Sequence, residues 1–288
     1  MEITEKARLA ALGALPEPLG ALLIERLGAA ALTLPMLPDV AAEVLQLVQS
    51  DTTDAARLSS IVHRDQALAS HLLRIANSPA YRPRSPIVSL QQAVARLGLT
   101  TLGEIALSVS VRGNLFRAAG YEAYLRDLWR HSALAGSFAK EIARARRQNV
   151  ESAFLCGLLH DLGRPVLLAE LVGLAPKAQL PLTEGAALAT LDALHPIVGG
   201  ALAQLWQLPE SVVMSLRHHH APADAPAAAD AVHMTSLADE LARWAAGERE
   251  KDAVRAFPSV ERLNLYPDAM DALFAHEARA LAFAEALS

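Results

Sequence analysis

The stretch Phe154-Leu155-Cys156-Gly157-Leu158-Leu159-His160-Asp161-Leu162-Gly163-Arg164 decides how the rest of this sequence is read. It is an apolar helical run that ends in an adjacent histidine and aspartate and is closed by a glycine. Neighbouring helical positions lie about 100° apart, so the side chains of His160 and Asp161 diverge only moderately. They can converge on one ion at the wall of a helical bundle. Imidazole and carboxylate together suit divalent transition metals better than calcium, which takes oxygen ligands. The competing reading is a histidine that finishes a buried helix beside a solvated aspartate, and it is the better one for an arbitrary pair. The spacing of the other histidines weighs against it here.

Around this stretch, 288 residues suffice for one large or two small domains with a substantial core. A hydrophobic fraction of 52% with only 5% aromatics, leucine and alanine throughout, favours helix packed on helix with little or no sheet. The net charge of −5 gives no global attraction to nucleic acid or anionic membrane. A basic patch at Arg82 and Arg84 is therefore a disfavoured nucleic-acid site. The lone Cys156 lies in an apolar run, excludes an internal disulfide and reads as a small buried hydrophobe rather than a nucleophile. The first residues, Met1-Glu2-Ile3-Thr4-Glu5-Lys6, lack the basic and apolar regions of a signal peptide. The mean hydropathy of +0.23 is not concentrated in a charge-free span long enough to cross a membrane. A soluble, cytoplasmic protein with no membrane partner is expected.

From the N-terminus, residues 3–30 predict one or two amphipathic helices interrupted near Pro16 and Pro18, with Leu22, Leu23 and Leu27 on one face. After Leu34-Pro35-Met36-Leu37-Pro38, Asp39 is placed to cap a helix carrying Val40, Val44, Leu45 and Val48, and Asp51-Thr52-Thr53-Asp54 to cap the next. Asp65 starts a helix through Leu72 and Ile75 that ends at Asn77-Ser78. Ser89 caps Leu90 to Leu97, and Gly98 is a natural left-handed stop. A further helix is predicted from about Thr100 to Val111. Arg74 and Arg96 read as solvated or paired rather than as a site.

Trp129-Arg130-His131-Ser132 opens a long helix whose basic end, Arg144, Arg146 and Arg147, suits the helix dipole. His131 precedes His160 by 29 positions, enough for one helix to finish and a second to return alongside it. His195 precedes Pro196, and a proline in the first turn predicts that His195 starts a helix with its ring free to enter a cleft. His218-His219-His220 and, later, Asp239 complete the set. His233 and His276 are read as incidental. A final helix is predicted from about Asp268 to Leu287.

The order Leu37-Pro38, Asp65-Gln66-Ala67-Leu68, Leu72-Leu73-Arg74-Ile75-Ala76-Asn77-Ser78 and Ala93-Val94-Ala95-Arg96-Leu97-Gly98, followed by the histidine–aspartate helix, resembles the HDOD domain over roughly residues 30–245. HDOD domains are bacterial signalling modules related to the HD phosphohydrolases and their HD-GYP branch. The usual proline of the Asp65 motif is Gln66 here. The resemblance implies an all-α fold of two packed helical subdomains, the second an HD-type bundle. It divides the chain into a lead-in at 1–30, an N-terminal subdomain at 31–118, the HD-like subdomain at 119–245 and a helical tail at 246–288.

It also implies a ligand set, because His131, His160, Asp161, His195, His219, His220 and Asp239 match the metal-ligand order of the HD superfamily. Such a set exceeds the needs of one tetrahedral zinc and resembles a mono- or binuclear iron or manganese centre, with zinc also open. Two departures argue against catalysis. The glutamate and Gly-Tyr-Pro segment of the HD-GYP branch are replaced by Ala221-Pro222-Ala223-Asp224-Ala225-Pro226, and the lysine common after the motif in active members is Arg164. Arg164 remains a candidate phosphate contact, and no residue is assigned a catalytic role. The implied function is a non-enzymatic adaptor in bacterial signal transduction that binds a signalling partner and senses a ligand or metal. The alternative is a metal-dependent phosphohydrolase acting on a nucleotide or cyclic nucleotide.

Overall fold

A computed structural model describes residues 13–28, 34–37, 39–48, 55–81, 83 and 85–287. Among the described residues there is no strand. The helices are α1 (Glu17–Gly28), α2 (Asp39–Val48), α3 (Ala55–His63), α4 (Gln66–Ala76), α5 (Leu90–Leu97), α6 (Leu99–Leu115), α7 (Glu122–Arg146), α8 (Val150–Leu159), α9 (Gly163–Leu174), α10 (Glu184–Leu205), α11 (Glu210–His218), α12 (Ala229–Ala245), α13 (Lys251–Arg255), α14 (Pro258–Arg262), α15 (Pro267–Ala275) and α16 (Glu277–Leu287). The predicted caps at residues 51–54, the Arg82–Arg84 patch and the first twelve residues lie outside the described residues.

The chain forms two packed helical groups. In the first, α2 to α6 pack on one another; in the second, α7 lies along α8 and α12, while α9, α10 and α11 close the far side. The α6 helix meets α8, and α16 lies on α7. One core runs through both groups, from Leu72 and Ile105 to Phe138, Leu167 and Leu237. The outlying α1 carries Leu19, Leu23 and Leu27 fully buried, with Leu22 half-buried beside them. Arg26 joins it to Glu170 of α9 at 2.7 Å. Among the described residues, α10 alone is long and apolar enough to cross a membrane, but 56% of that window is buried in the fold. The α5–α6 pair passes the same test only as one segment bent by 118°.

Several local expectations follow through to atoms. Asp65 Oδ1 accepts the Leu68 N–H at 3.0 Å and Ser89 Oγ that of Gln92 at 3.2 Å, each satisfying a donor that a helix start leaves open. Gly98 has φ of +81°, a value that disfavours any residue with a Cβ. Asn77 does more than end a helix. It stays in the right-handed region, and its carboxamide pairs like a peptide with Ile87, donating to the carbonyl and accepting from the N–H, both at 2.8 Å. It also donates to Leu73 O at 2.8 Å. Asn77→Ala is expected to cost about 1–2 kcal/mol through the unmet Ile87 groups, read as a lowered urea midpoint with an unchanged slope.

Gly163 and His195 stand differently in the fold from what their local sequence predicts. Gly163 does not close the apolar helix: α8 ends at Leu159, His160 to Leu162 form a turn, and Gly163 opens α9. The glycine is required by proximity, since a Cβ there would lie 2.0 Å from His195 O. Nor does His195 start a helix, because α10 runs unbroken through Pro196. An interior proline costs about 3 kcal/mol. Leu191, Leu194, Val198 and Leu202 on the same helix are all fully buried, and at roughly 1.5–3 kcal/mol each they outweigh it. The final predicted helix is two, α15 and α16, parted at His276.

Candidate metal centre

Five helices or their ends supply the seven predicted side chains. His131 comes from mid-α7, His160 and Asp161 from the turn after α8, His195 from mid-α10, His219 and His220 from the turn after α11, and Asp239 from α12. The chain crossing is tight because Gly157 and Gly163 let α8 and α9 approach their neighbours. A Cβ on Gly157 would meet Ala135 O at 2.6 Å.

All seven converge. Asp161, His195, His219 and His220 offer ligand atoms within 4.8 Å of one another, and so do His131, His160 and Asp161. Asp161 belongs to both groups, which is the arrangement of a carboxylate shared between two ion positions. Asp239 Oδ1 lies 3.0 Å from His131 Nε2 and 4.0 Å from His160 Nε2, at the outer edge of the second group. His160, His195 and His219 are buried, whereas His220 is exposed and marks the side open to solvent.

The backbone sets the tautomers. His160 Nδ1 lies 2.7 Å from Gly157 O, His195 Nδ1 2.7 Å from Leu191 O, and His219 Nδ1 3.1 Å from Ser215 O. A carbonyl only accepts, so each Nδ1 carries a proton, and in the neutral ring Nε2 turns its lone pair inward. His195 Nε2 nevertheless lies 3.2 Å from His219 Nε2. A neutral ring with its proton on Nδ1 has no second N–H to give. Asp161 Oδ1 sits 3.1 Å from the same bare His195 nitrogen, is buried, and makes no hydrogen bond. A cluster of lone pairs facing one another at such distances is unfavourable unless a cation lies among them.

The spacing suits one. With metal–nitrogen bonds of about 2.1 Å, ligand atoms stand about 3.0 Å apart along an octahedral edge and about 3.4 Å along a tetrahedral one. The Nε2 separations of 3.3 Å for His131–His160, 3.2 Å for His195–His219 and 3.1 Å for His195–His220 fall within that span.

Electrostatics agree with this geometry. Burial and the neighbouring His160 ring hold His219 well below the ordinary imidazole value, and burial with His195 beside it brings His220 down to about 4. Burial also lowers His160. These rings are neutral, as ligands must be. Burial would raise the Asp161 carboxyl, but the Arg164 guanidinium beside it holds it well below the usual carboxylate range. Burial acts on His131 in the opposite sense to its bond with Asp239, and the carboxylate prevails, raising it.

Outside the ligands, Arg164 Nε lies 2.9 Å from Asp161 Oδ2 and Nη1 2.6 Å from Asp192 Oδ1, with only 11% of its side chain exposed. The candidate phosphate contact is thus engaged by two carboxylates. Arg243 Nε holds Asp239 Oδ1 at 3.0 Å. Arg243 and Asp192 were not among the residues read from sequence. The first had a signal in its place four positions after Asp239 on a helix; the second had none.

A family model for the HDOD domain matches residues 34–222. The chain belongs to the HDOD domain family. An uncharacterized protein of Treponema pallidum (strain Nichols) is 28% identical over 204 residues, covering 67% of this chain and 39% of that protein. The HDOD chain therefore spans less than half the length of that relative. Among solved structures, an HDOD domain protein of unknown function from Geobacter sulfurreducens superposes with a TM-score of 0.72 at 24% identity, over 93% of this chain and 98% of its own. A Shewanella amazonensis SB2B protein described as a metal-dependent phosphohydrolase superposes with a TM-score of 0.69 at 20% identity, over 98% and 100%. At these identities the likeness concerns the fold.

Proposed function

We propose that this HDOD protein is a metal-holding, non-enzymatic regulatory module of bacterial signal transduction, which works in the cytoplasm by presenting its helical surface to a signalling protein. The observation that carries it is the set of inward Nε2 lone pairs around a shared Asp161, combined with an Arg164 committed to Asp161 and Asp192. His131, His160, His195, His219, His220, Asp161 and Asp239 would hold iron or manganese. A divalent ion there supplies positive charge and acidifies a bound water. Backbone carbonyls hold the His160, His195 and His219 rings and the Asp239 carboxylate holds His131, so the cluster would act as a brace across α7, α8, α10, α11 and α12. Metal occupancy would then set the relative stability of the surfaces those helices present.

The lone-pair set also favours a second reading, a phosphohydrolase acting on a nucleotide. Against it stands the grip on Arg164: meeting a phosphate would require breaking two ion pairs, one of them buried. The test loads the protein with Mn²⁺ or Fe²⁺ and follows hydrolysis of bis(p-nitrophenyl) phosphate, nucleoside monophosphates and cyclic dinucleotides beside the His160→Ala, Asp161→Ala double variant. The proposal expects no turnover above that variant, and a thermal midpoint raised by metal in the wild type only. Turnover that the double variant lacks would establish the phosphohydrolase instead.

A further inference from the structure

A second cavity, of about 230 Å³, shares no residue with the metal cluster. It lies where α6, α7 and α8 meet the tail helix α16. Its depth is set by Glu104, only 4% exposed. Lys140 binds Glu104 Oε2, while Oε1, equally buried, has no hydrogen-bond partner. Burial pushes this carboxyl up against the pull of Lys140. An unmet buried acceptor costs free energy, so a donor brought in by a ligand recovers it.

Phe154 and Phe283 stand in the wall, their rings edge to face with centroids 6.1 Å apart. Beside them Ser137 Oγ and His276 Nε2 are in hydrogen-bond contact at 2.9 Å. The Ser137 backbone N–H is engaged within α7 and cannot serve a developing oxyanion, so the pair suits recognition better than catalysis. At the mouth are Arg144, paired with Glu141, and the exposed Arg279. The cavity thus grades from an unmet acceptor through aromatic walls to a cationic rim.

We infer that this cavity binds a compact heteroaromatic anion, whose ring N–H meets Glu104 Oε1, whose ring lies against Phe154 and Phe283, and whose charge sits between Arg144 and Arg279. The size agrees, since a cavity of about 150 Å³ accepts benzene. A purine-sized ring fits and a pair of stacked bases does not. His276, incidental by sequence, gains a role as a wall of this site.

The probe is guanosine 5′-monophosphate, which carries ring N–H donors and a phosphate, titrated into the full chain by calorimetry with adenosine 5′-monophosphate, benzoate and inorganic phosphate alongside. One equivalent of the guanine nucleotide is expected to bind more tightly than phosphate. Affinity should fall at least ten-fold in Arg279→Ala, a surface change that leaves the thermal midpoint in place, and in Glu104→Gln. It should persist in His160→Ala, Asp161→Ala, which separates this cavity from the metal cluster. No binding of any aromatic anion at millimolar concentration, phosphate binding as tightly as the nucleotide, or binding indifferent to Arg279→Ala would each overturn the inference.

Discussion

Gly163→Ala is expected to lower stability by more than about 3 kcal/mol and to remove bound metal at the same time. The added Cβ would stand 2.0 Å from His195 O and 2.8 Å from Gly199 N, both backbone atoms of α10. Side chains can turn aside from such a contact; two helix backbones cannot without parting. Overpacking a well-filled core commonly costs about 1–3 kcal/mol, and this site lacks the flexible neighbour that keeps the cost within that span. Separation of α9 from α10 would also carry His195 away from Asp161, so metal content reports the same event. The internal control is Gly173→Ala, on the same helix, where a Cβ meets nothing within 4 Å. That change should stabilise by about 0.5–1 kcal/mol through helix propensity. Urea unfolding of both variants decides the matter: equal midpoints would mean that the close approach at Gly163 is not what holds α9 against α10.

Asp161→Asn should have the second large effect, and it separates charge from shape. The carboxylate is shared by both ligand groups, whereas Asp239 stands only at the edge of the second. Its loss should weaken metal binding by at least about 100-fold, beyond the 10–100-fold typical of residues that merely orient ligands. Arg243→Ala, which frees Asp239 without touching a ligand, should fall inside that smaller span. The metal-free Asp161→Asn protein should also be destabilised by about 1–3 kcal/mol, because the nearly buried Arg164 keeps one of its two carboxylate partners, Asp192. Equilibrium dialysis against Mn²⁺ with urea titration of the metal-free protein measures both. Affinity unchanged in Asp161→Asn would show that the two groups do not share this residue.

Much of the fold was written in residues that act locally. Asp65 and Ser89 cap where their side-chain oxygens meet helix N–H groups, and the leucines of α1 mark its buried face by spacing. The apolar run before His160, with no charge to offer solvent, announced a central helix. Other features depended on neighbours distant in the chain. Pro196 reads as a helix start by local rules, and only the buried stripe of α10 against α9 reverses that reading. Gly163 reads as a stop, yet its reason is the carbonyl of His195, far along the sequence.

The candidate site divides in the same way. Histidine and aspartate are chemically distinctive, and their order along the chain carried them into one reading. Arg243 and Asp192 are ordinary surface types until the fold sets them against Asp239 and Arg164. The second cavity was invisible for that reason: Glu104, Ser137 and His276 acquire meaning only where three helices and the tail meet.

If a metal ion lies among the ligand atoms around Asp161, the protein must hold it in solution. The measurement that bears on this most directly is elemental analysis of untagged protein purified without chelators, then reconstituted with Fe²⁺ or Mn²⁺ and freed of excess, beside the His160→Ala, Asp161→Ala variant. Two ligand groups joined at Asp161 lead to an expected one to two equivalents of metal in the wild type, and none in the variant. Wild type without metal after reconstitution, or a variant that retains as much, would contradict this expectation.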